Sequence, residues 1–212
     1  MFEEMAHKLS GWLSGQGEES MVVLSTRVRL ARNIAGCAYP SAADADTRNK
    51  VIDYFESAVS HSDKLSNGNL LKTTQLNQLD RDFLIERHLI SPTFMQENEI
   101  GALFVDKNEQ VSIMVNEEDH FRIQSLMPGL NPEEALKTAG EFDSEIAKFL
   151  ELDYDPDFGF LTACPTNVGT GMRASVLIHL PGLVITKDIE RVISKITKMG
   201  LVVRGFYGEG SD

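Results

Sequence analysis

Arginine side chains recur beside apolar, strand-like runs of this chain. Arg27 and Arg29 alternate with other residues in "STRVRLARN", so in a β-strand both would point to the same face. Arg122, Arg173 and Arg204 also lie within or at the edge of apolar runs, where an unpaired charge is costly. Polyphosphate oxygens accept bidentate bonds from arginine. The arginines therefore indicate either a phosphate-binding cluster or a solvated sheet face with acidic partners.

The segment "LTACPTNVGTGMRASVLIHLP", residues 161–181, resembles a phosphate-binding loop. It is rich in Gly, Thr and Asn, yet it lacks the Gly-Lys-Ser/Thr ending of a P-loop. Gly169 and Gly171 would let the backbone come close to phosphates. The segment predicts an anion-binding loop whose positive charge comes from Arg173.

Two acidic residues could act on a cationic substrate. Glu118 lies in "NEED" and Glu209 in "YGEGS", and a planar guanidinium becomes nucleophilic only when it is oriented and relieved of a proton. The alternatives are a surface turn and a solvated loop acid. Cys164 could contact the same substrate as a thiolate or be a small buried cysteine. The histidines show no metal-ligand spacing, and His120 is interpreted as structural.

Composition excludes several function classes. The net charge of −12 argues against nucleic acid as a partner, because phosphate backbones require a basic surface. No apolar stretch is long enough to span a membrane, and residues 1–20 lack the apolar core of a signal peptide. The two cysteines are too few for a disulfide framework. These features predict a cytoplasmic protein that binds neither membrane nor nucleic acid.

Local patterns predict a single α+β domain over residues 1–212. A short N-terminal helix is expected within residues 1–20, and a hairpin around "DKNEQ". Strands are expected in "MVVLSTRVRLARNI" and in "ASVLIHLPGL", where Pro181 and Gly182 end the second strand. Helices are expected over 42–64, before Pro92, after the Asn131 cap and over 186–199, and a last strand begins at Leu201. Because several strands connect by short turns, the sheet should be largely antiparallel with helices on one face. A parallel doubly wound fold is the alternative.

Four segments together resemble the signature segments of the ATP:guanido phosphotransferases, the family of creatine and arginine kinases. They are "STRVRLARN", "NEEDHFR", "CPTNVGTGMRAS" and "RGFYGEGS", in the family's order and at its approximate spacing. Only 24 residues precede "STRVR", which leaves no room for the helical N-terminal domain of enzymes that act on free creatine or arginine. In this respect the chain resembles the bacterial protein-arginine kinases, as do "RHLISP" and "LVVRGFYGEGS".

The resemblance implies a glutamine-synthetase-like antiparallel sheet flanked by helices and phosphoryl transfer from MgATP to arginine side chains in proteins. Magnesium would be bound through the nucleotide. Glu118, Glu209 and Cys164 would act on the acceptor. The residues implied in nucleotide binding are Ser25, Arg27, Arg29, His88, Arg122, Arg173, Ala174, Ser175, Arg204, Gly205 and Gly208.

The resemblance also implies chain beyond Asp212: a strand and helices that complete the catalytic domain, then a C-terminal domain that binds phosphoarginine. A chain ending at Asp212 would lack both. A catalytically weak or inactive nucleotide-binding module is therefore the alternative function, and its open sheet edge would favour a homodimer. By resemblance, the other partners are an activator protein and Clp-type protease machinery, in a stress response.

Overall fold

An antiparallel six-stranded sheet forms the centre of the molecule. The computed structural model describes residues 5–97 and 100–205. The sheet contains β1 (Val23–Arg32), β2 (Gly68–Lys72), β3 (Ala102–Asp106), β4 (Val111–Val115), β5 (Phe121–Pro128) and β8 (Met172–Ile178), in the order β2-β3-β4-β5-β1-β8. Two short strands, β6 (Tyr154–Asp155) and β7 (Gly159–Phe160), pair separately. The predicted α+β class with a largely antiparallel sheet is confirmed.

Two of the helices begin at residues whose side chains cap the first turn. They are α1 (Ala45–His61), α2 (Gln78–Glu86), α3 (Pro92–Glu97), α4 (Pro132–Ile146), α5 (Pro181–Ile185) and α6 (Ile189–Lys198). The Asp44 carboxylate accepts from the Thr47 backbone N–H at 2.8 Å at the start of α1. Asn77 and Asp80 form a reciprocal capping box at α2. Asn131 stands at the N-cap of α4 as expected, but its side chain makes no capping bond.

Helical segments cover both faces of the sheet, so the expectation of helices on one face is wrong. On one face, α1 and α4 pack against Val28, Phe104 and Ile123 in the main core. On the other, residues from the segment 76–94 pack against Leu103, Val105 and Met114. Since alternate residues of a strand point to opposite faces, β3 contributes side chains to both cores. Both faces of β3 are apolar, which the sequence shows as the uninterrupted run "ALFV".

Two predicted elements differ in the structure. The N-terminal helix is interrupted: residues 5–6 are helical, and a separate 3-10 helix covers Gly11–Leu13 with Trp12 buried. Glycine favours a helix boundary there because it lacks a side chain to restrain the backbone. The strand predicted from Leu201 is wrong for residues 201–204, which have no regular structure. Their side chains are exposed, so no neighbouring strand is present among the described residues to order them.

The described segment 172–205 packs differently from the rest of the domain. None of its residues is buried, although β8 pairs with β1 along seven positions from Val23 to Leu30. Within the part of the chain that the structure describes, no strand pairs with the outer edge of β8. The segment is therefore attached to the sheet by backbone pairing and contributes no residue to either core.

Candidate active site

The strand register brings four arginines to one face of the sheet. Arg29 on β1 lies opposite Arg173 on β8, and Arg122 on β5 lies opposite Ala31 of β1. Arg27 and Arg29 share a face because they are two positions apart, and residues opposite one another in a pair also share a face. The alternate residue Val28 is buried in the main core. The arginine face is therefore the face turned away from α1 and α4.

These guanidiniums raise each other's electrostatic energy. Burial, and then repulsion from Arg27, Arg122 and Arg173, lowers the pKa of Arg29 to about 9. Burial and Arg122 also lower the pKa of Arg27. In addition, the Nε of Arg27 is buried without a hydrogen-bond partner. A cluster of partly buried cations with a free buried donor is most stable when an anion lies among them.

The two glutamates of the "NEED" turn after β4 differ in their contacts and in their exposure. Glu117 accepts from Arg122 at 2.5 Å and from the Ser91 hydroxyl at 3.0 Å, and its side chain is only 10% exposed. Glu118 lies 3.9 Å from Arg122, and its side chain is 47% exposed. Glu117 therefore compensates the charge of Arg122, while the carboxylate of Glu118 remains accessible to a ligand. The sequence analysis predicted a role for Glu118 and missed Glu117. Its position next to Glu118 in the same turn was the only sequence feature that could have indicated it.

Asp119 completes the turn as a buried carboxylate. Its Oδ1 accepts from the Asn33 side chain and from the Ala163 backbone N–H, both at 2.7 Å. His120 follows, and its Nδ1 accepts from the Ile34 backbone N–H at 3.0 Å. Burial lowers the pKa of His120, so its ring is neutral and structural, in agreement with the sequence interpretation.

The segment that carries Cys164 crosses the end of the arginine face. Cys164 is partly buried and its Sγ lies 3.0 Å from the Thr166 hydroxyl. Thr166 also accepts from Arg173, at 3.4 Å. A Cβ on Gly171 would lie 2.6 Å from the Ala31 carbonyl oxygen, and Gly169 has a φ of +111° and pairs with Phe160. Gly171 therefore permits close contact between this loop and the backbone of β1, and Gly169 permits a positive φ; their approach to phosphates stays a prediction.

Arg32 anchors the same loop from the end of β1. Its side chain is 4% exposed and forms two bonds to Asp143 on α4, Nε to Oδ1 at 2.9 Å and Nη2 to Oδ2 at 2.8 Å. Its Nη1 donates to the Thr170 carbonyl at 2.9 Å, and its guanidinium lies 3.6 Å from the centre of the Phe160 ring. This arginine differs from the cluster because all three of its nitrogens donate to protein acceptors, among them the carboxylate of Asp143. The sequence reading did not separate it from its neighbours in "STRVRLARN".

His88 lies on the same side of the sheet as the arginine cluster, in an uncommon backbone conformation. Its φ is +58°, which is uncommon for a residue with a side chain. Burial and the charge of Arg27 lower the pKa of His88 to about 4. Trp12 packs edge-on against its ring at 5.0 Å, and the Gln124 side chain donates to its carbonyl at 2.8 Å. The short N-terminal segment therefore helps to fix His88.

The other predicted site residues differ in whether they share the face of the arginine cluster. Ser175 pairs with Arg27 and shares its face, and Ser25 on β1 is two positions from Arg27. Ala174 pairs with Val28, so its Cβ points to the opposite face. Arg204 is exposed and Gly205 is the last described residue. Gly208 and Glu209 lie outside the described residues.

A cleft joins the acidic turn, the loop and the cluster. It is lined by Arg29, Leu30, Ala31, Glu118, Asp119, Arg122, Asn167, Gly171 and Arg173. Of the predicted residues, the structure thus brings together Arg29, Glu118, Arg122 and Arg173, whereas Arg204 is not among the lining residues. Across the described part of the chain, no group of three or more His, Cys, Asp or Glu could hold a metal ion. Over the same part, no helix is long and apolar enough to cross a membrane.

Comparison with known proteins gives consistent matches. The family model for the C-terminal catalytic domain of the ATP:guanido phosphotransferases matches residues 50–212. A protein-arginine kinase of Geobacillus sp. (strain WCH70) is 47% identical over 206 residues, which cover 96% of this chain and 57% of that protein. A protein-arginine kinase of Bacillus cereus (strain B4264) is 46% identical over 210 residues, 98% of this chain and 59% of that protein. The chain thus spans less than two-thirds of the length of these relatives.

Solved structures match the fold as well. The duplicated taurocyamine kinase of Schistosoma mansoni, with bound components of a transition-state analogue, gives a TM-score of 0.78 at 28% identity and covers 90% of this chain and 28% of that chain. A lombricine kinase gives a TM-score of 0.76 at 25% identity, over 98% of this chain and 59% of that chain. The antiparallel sheet thus has the same fold as these kinases. The chain belongs to the ATP:guanido phosphotransferase family.

Proposed function

We propose that this chain transfers a phosphoryl group from MgATP to the guanidinium of arginine residues in proteins. The observation that carries the proposal is the arginine face, where Arg27, Arg29 and Arg122 lie together with an accessible carboxylate at their edge. Phosphoryl transfer depends on positioning and on neutralising the charge of the transferred group, which such a cluster supplies. The similarity to proteins named protein-arginine kinases supports the choice of acceptor.

The nucleotide's phosphates would bind among Arg27, Arg29, Arg122 and Arg173. The repulsion that lowers the pKa of Arg29 would be relieved by the phosphate charge. Magnesium binds to proteins through few carboxylates together with substrate phosphates, and it would neutralise charge on the transferred group.

The acceptor would bind where the cleft meets the "NEED" turn. Glu118 would orient the guanidinium of the acceptor and take its proton, because its carboxylate is accessible and Glu117 already compensates Arg122. The attacking nitrogen would form its bond to the γ-phosphorus while the bond to the bridging oxygen of ADP breaks. Cys164 and, from outside the described residues, Glu209 are proposed on the same side. His88 is proposed near the nucleotide base.

A second function is favoured by the state of the segment 172–205. None of its residues is buried, β8 has an unpaired outer edge within the described chain, and Arg204 is outside the cleft lining. A module with this arrangement would bind nucleotide without efficient turnover, and its open edge would pair with a second copy or another chain. An activator protein, Clp-type protease machinery, a role in stress and a cytoplasmic location are proposed from the family resemblance alone.

The choice of acceptor can be tested with γ-labelled ATP. Transfer to an unfolded arginine-containing protein is compared with transfer to free arginine at equal arginine concentration. We expect the protein to be the better acceptor, because the energy that orients free arginine must come from the guanidinium alone. Preference for free arginine would replace the proposal with a small-molecule guanidine kinase. Calorimetric ATP binding without transfer to either acceptor would support the second function.

A further inference from the structure

A buried amide connects the two segments of the proposed acceptor side. Asn33 directly follows β1 and is 1% exposed. Its Nδ2 donates to the Asp119 carboxylate at 2.7 Å and to the Leu161 carbonyl at 3.1 Å. Its Oδ1 accepts from the His120 backbone N–H at 2.8 Å. One side chain therefore binds both the turn that carries Glu118 and the segment that leads to Cys164.

Asp119 makes the same connection a second time. The oxygen that accepts from Asn33 also accepts from the Ala163 backbone N–H at 2.7 Å. The carboxylate is 3% exposed, so it is held by these hydrogen bonds and is removed from solvent. Glu118 and Cys164 are each the chain neighbour of a residue in this network, Asp119 and Ala163 respectively. A shift of either neighbour would therefore move the corresponding functional group.

The arginine face is positioned by a different means. Arg27, Arg29 and Arg122 stand on paired strands, and their spacing follows from the backbone register of β1 and β5. Loops have no such register, so side-chain hydrogen bonds help local backbone bonds to fix them. The turn and the Cys164 segment are loops, and Asn33 and Asp119 provide those bonds.

We infer that Asn33 is a positioning residue that sets the distance between Glu118 and Cys164, acting through Asp119 and the 161–163 backbone. The inference rests on the proposed function, since it assigns both groups to the acceptor side. It makes acceptor geometry depend on Asn33, and it leaves the binding of the nucleotide phosphates to the sheet.

The first test replaces Asn33 with alanine. Because a misplacement of about 1 Å can cost about 100-fold in rate, we expect kcat/KM for the protein acceptor to fall by that order. The dissociation constant for ATP should stay within about twofold, because the strands that carry the arginines keep their register. Asn131→Ala is the matched control, as that side chain makes no capping bond at α4. Equal losses in ATP affinity and in acceptor kinetics would overturn the inference.

A second pair of variants separates hydrogen bonding from charge and covers the case in which Asn33→Ala does not fold. Asp119→Asn keeps the shape of the side chain and an oxygen that can accept from Asn33 and Ala163, whereas Asp119→Ala removes both bonds. If Asp119 positions the loop, Asp119→Asn should retain about tenfold more acceptor kcat/KM than Asp119→Ala, because it keeps the two hydrogen bonds that Asp119→Ala removes. Equal losses in the two variants would show a role for the charge itself.

A third measurement does not depend on kinase activity. The rate of Cys164 alkylation is measured by peptide mass spectrometry, with Cys37 as the internal reference and the melting temperature as the measure of folding. In folded Asn33→Ala the Cys164 rate should change several-fold relative to the parent chain. An unchanged rate would overturn the inference. Failure of the parent chain to phosphorylate any acceptor would instead count against the proposed function, with the alkylation result still deciding the role of Asn33.

Discussion

The two sides of the arginine cluster differ in burial and in backbone pairing. On β1 and β5, Arg29 and Arg122 stand between residues of the main core, Arg27 precedes the core residue Val28, and the backbone of both strands pairs on both sides. On β8, Arg173 belongs to a segment in which no described residue is buried, and Arg204, later in that segment, is not among the residues that line the cleft. Since burial of apolar side chains is the main source of stability, the first group is held before any ligand binds. The second group depends on additional contacts, from ligand or from further polypeptide.

Under the proposed function, this difference would separate binding from turnover. The preformed half, Arg27, Arg29 and Arg122 on β1 and β5, would attract phosphate charge without rearrangement. Closing the site around the transferred group would require the exposed segment 172–205. Each of the following tests either breaks or sharpens this distinction.

The largest effect is expected at the acceptor carboxylate. Glu118→Gln keeps the shape and removes the base, so the rate of transfer should fall by roughly 10²–10⁴. ATP affinity, measured by calorimetry, should be nearly unchanged, because Glu117 and not Glu118 holds Arg122. Glu133→Gln, at the exposed start of α4, is the matched control. A loss of ATP binding in Glu118→Gln would place this residue on the nucleotide side.

The next effect concerns the preformed half. Arg29→Met should weaken ATP binding by at least about tenfold, given about 1.5–3 kcal/mol for a charged hydrogen bond. It should also raise the melting temperature of the nucleotide-free protein, because burial and repulsion lower the pKa of Arg29 to about 9 and so oppose its charged form in the folded state. Arg191→Met, an exposed α6 arginine 3.0 Å from Asp188, is the control. A less stable Arg29→Met chain would mean that the cluster is not strained without ligand.

A smaller effect is expected from acidification. The pKa of His88 is about 4 in the folded protein and about 6.5 when unfolded. Between these values the unfolded chain binds more protons, so the free energy of unfolding should decrease as the pH falls from about 6.5 to about 4. His120 contributes in the same direction because its pKa is also lowered.

His88→Gln isolates the first contribution. The variant should show a shallower decrease in stability over this range, followed by urea unfolding at several pH values. The single tryptophan, Trp12, contacts His88, so its fluorescence reports protonation of that ring directly. A fluorescence transition near pH 6.5 in the folded parent chain would contradict the burial of His88.

The smallest perturbation uses no mutation. Amide hydrogen exchange should be slow in β1 and β5 and much faster in α6, because exchange through local opening follows local packing. The edge strand β8 should be intermediate, since it pairs on one side only. Addition of ATP should slow exchange at Arg173 more than in α6. Equal protection of α6 and β1 would remove the difference between the two halves.

The sequence predicted the parts of the site that depend on strand periodicity. Alternation in "TRVR" placed Arg27 and Arg29 on one face, and the strand register brought Arg122 and Arg173 to it. It did not predict the division of tasks between Glu117 and Glu118, because both belong to one turn and only the contact with Arg122 distinguishes them. Likewise, Asn33 and Asp119 are 86 positions apart, and no local pattern predicts the hydrogen bond between their side chains.

Local sequence patterns also could not predict which faces of the sheet the helices cover. Amphipathic periodicity marks a helix but does not say which side of a sheet it covers, so the packing of residues 76–94 on the second face was missed. The strand predicted from Leu201 shows that a correct-looking local pattern can also fail. An apolar run becomes a strand only when a neighbour pairs with it, and the described chain supplies none for residues 201–204.

The most direct test of the central claim is the chemistry of the phosphorylated product. The chain is incubated with γ-labelled ATP, magnesium and an unfolded arginine-rich protein, and the labelled protein is then held in acid and in base. Transfer to arginine predicts label that is lost in acid, retained in base and assigned to arginine by mass spectrometry. Acid-stable label on serine, threonine or tyrosine would contradict the proposed function.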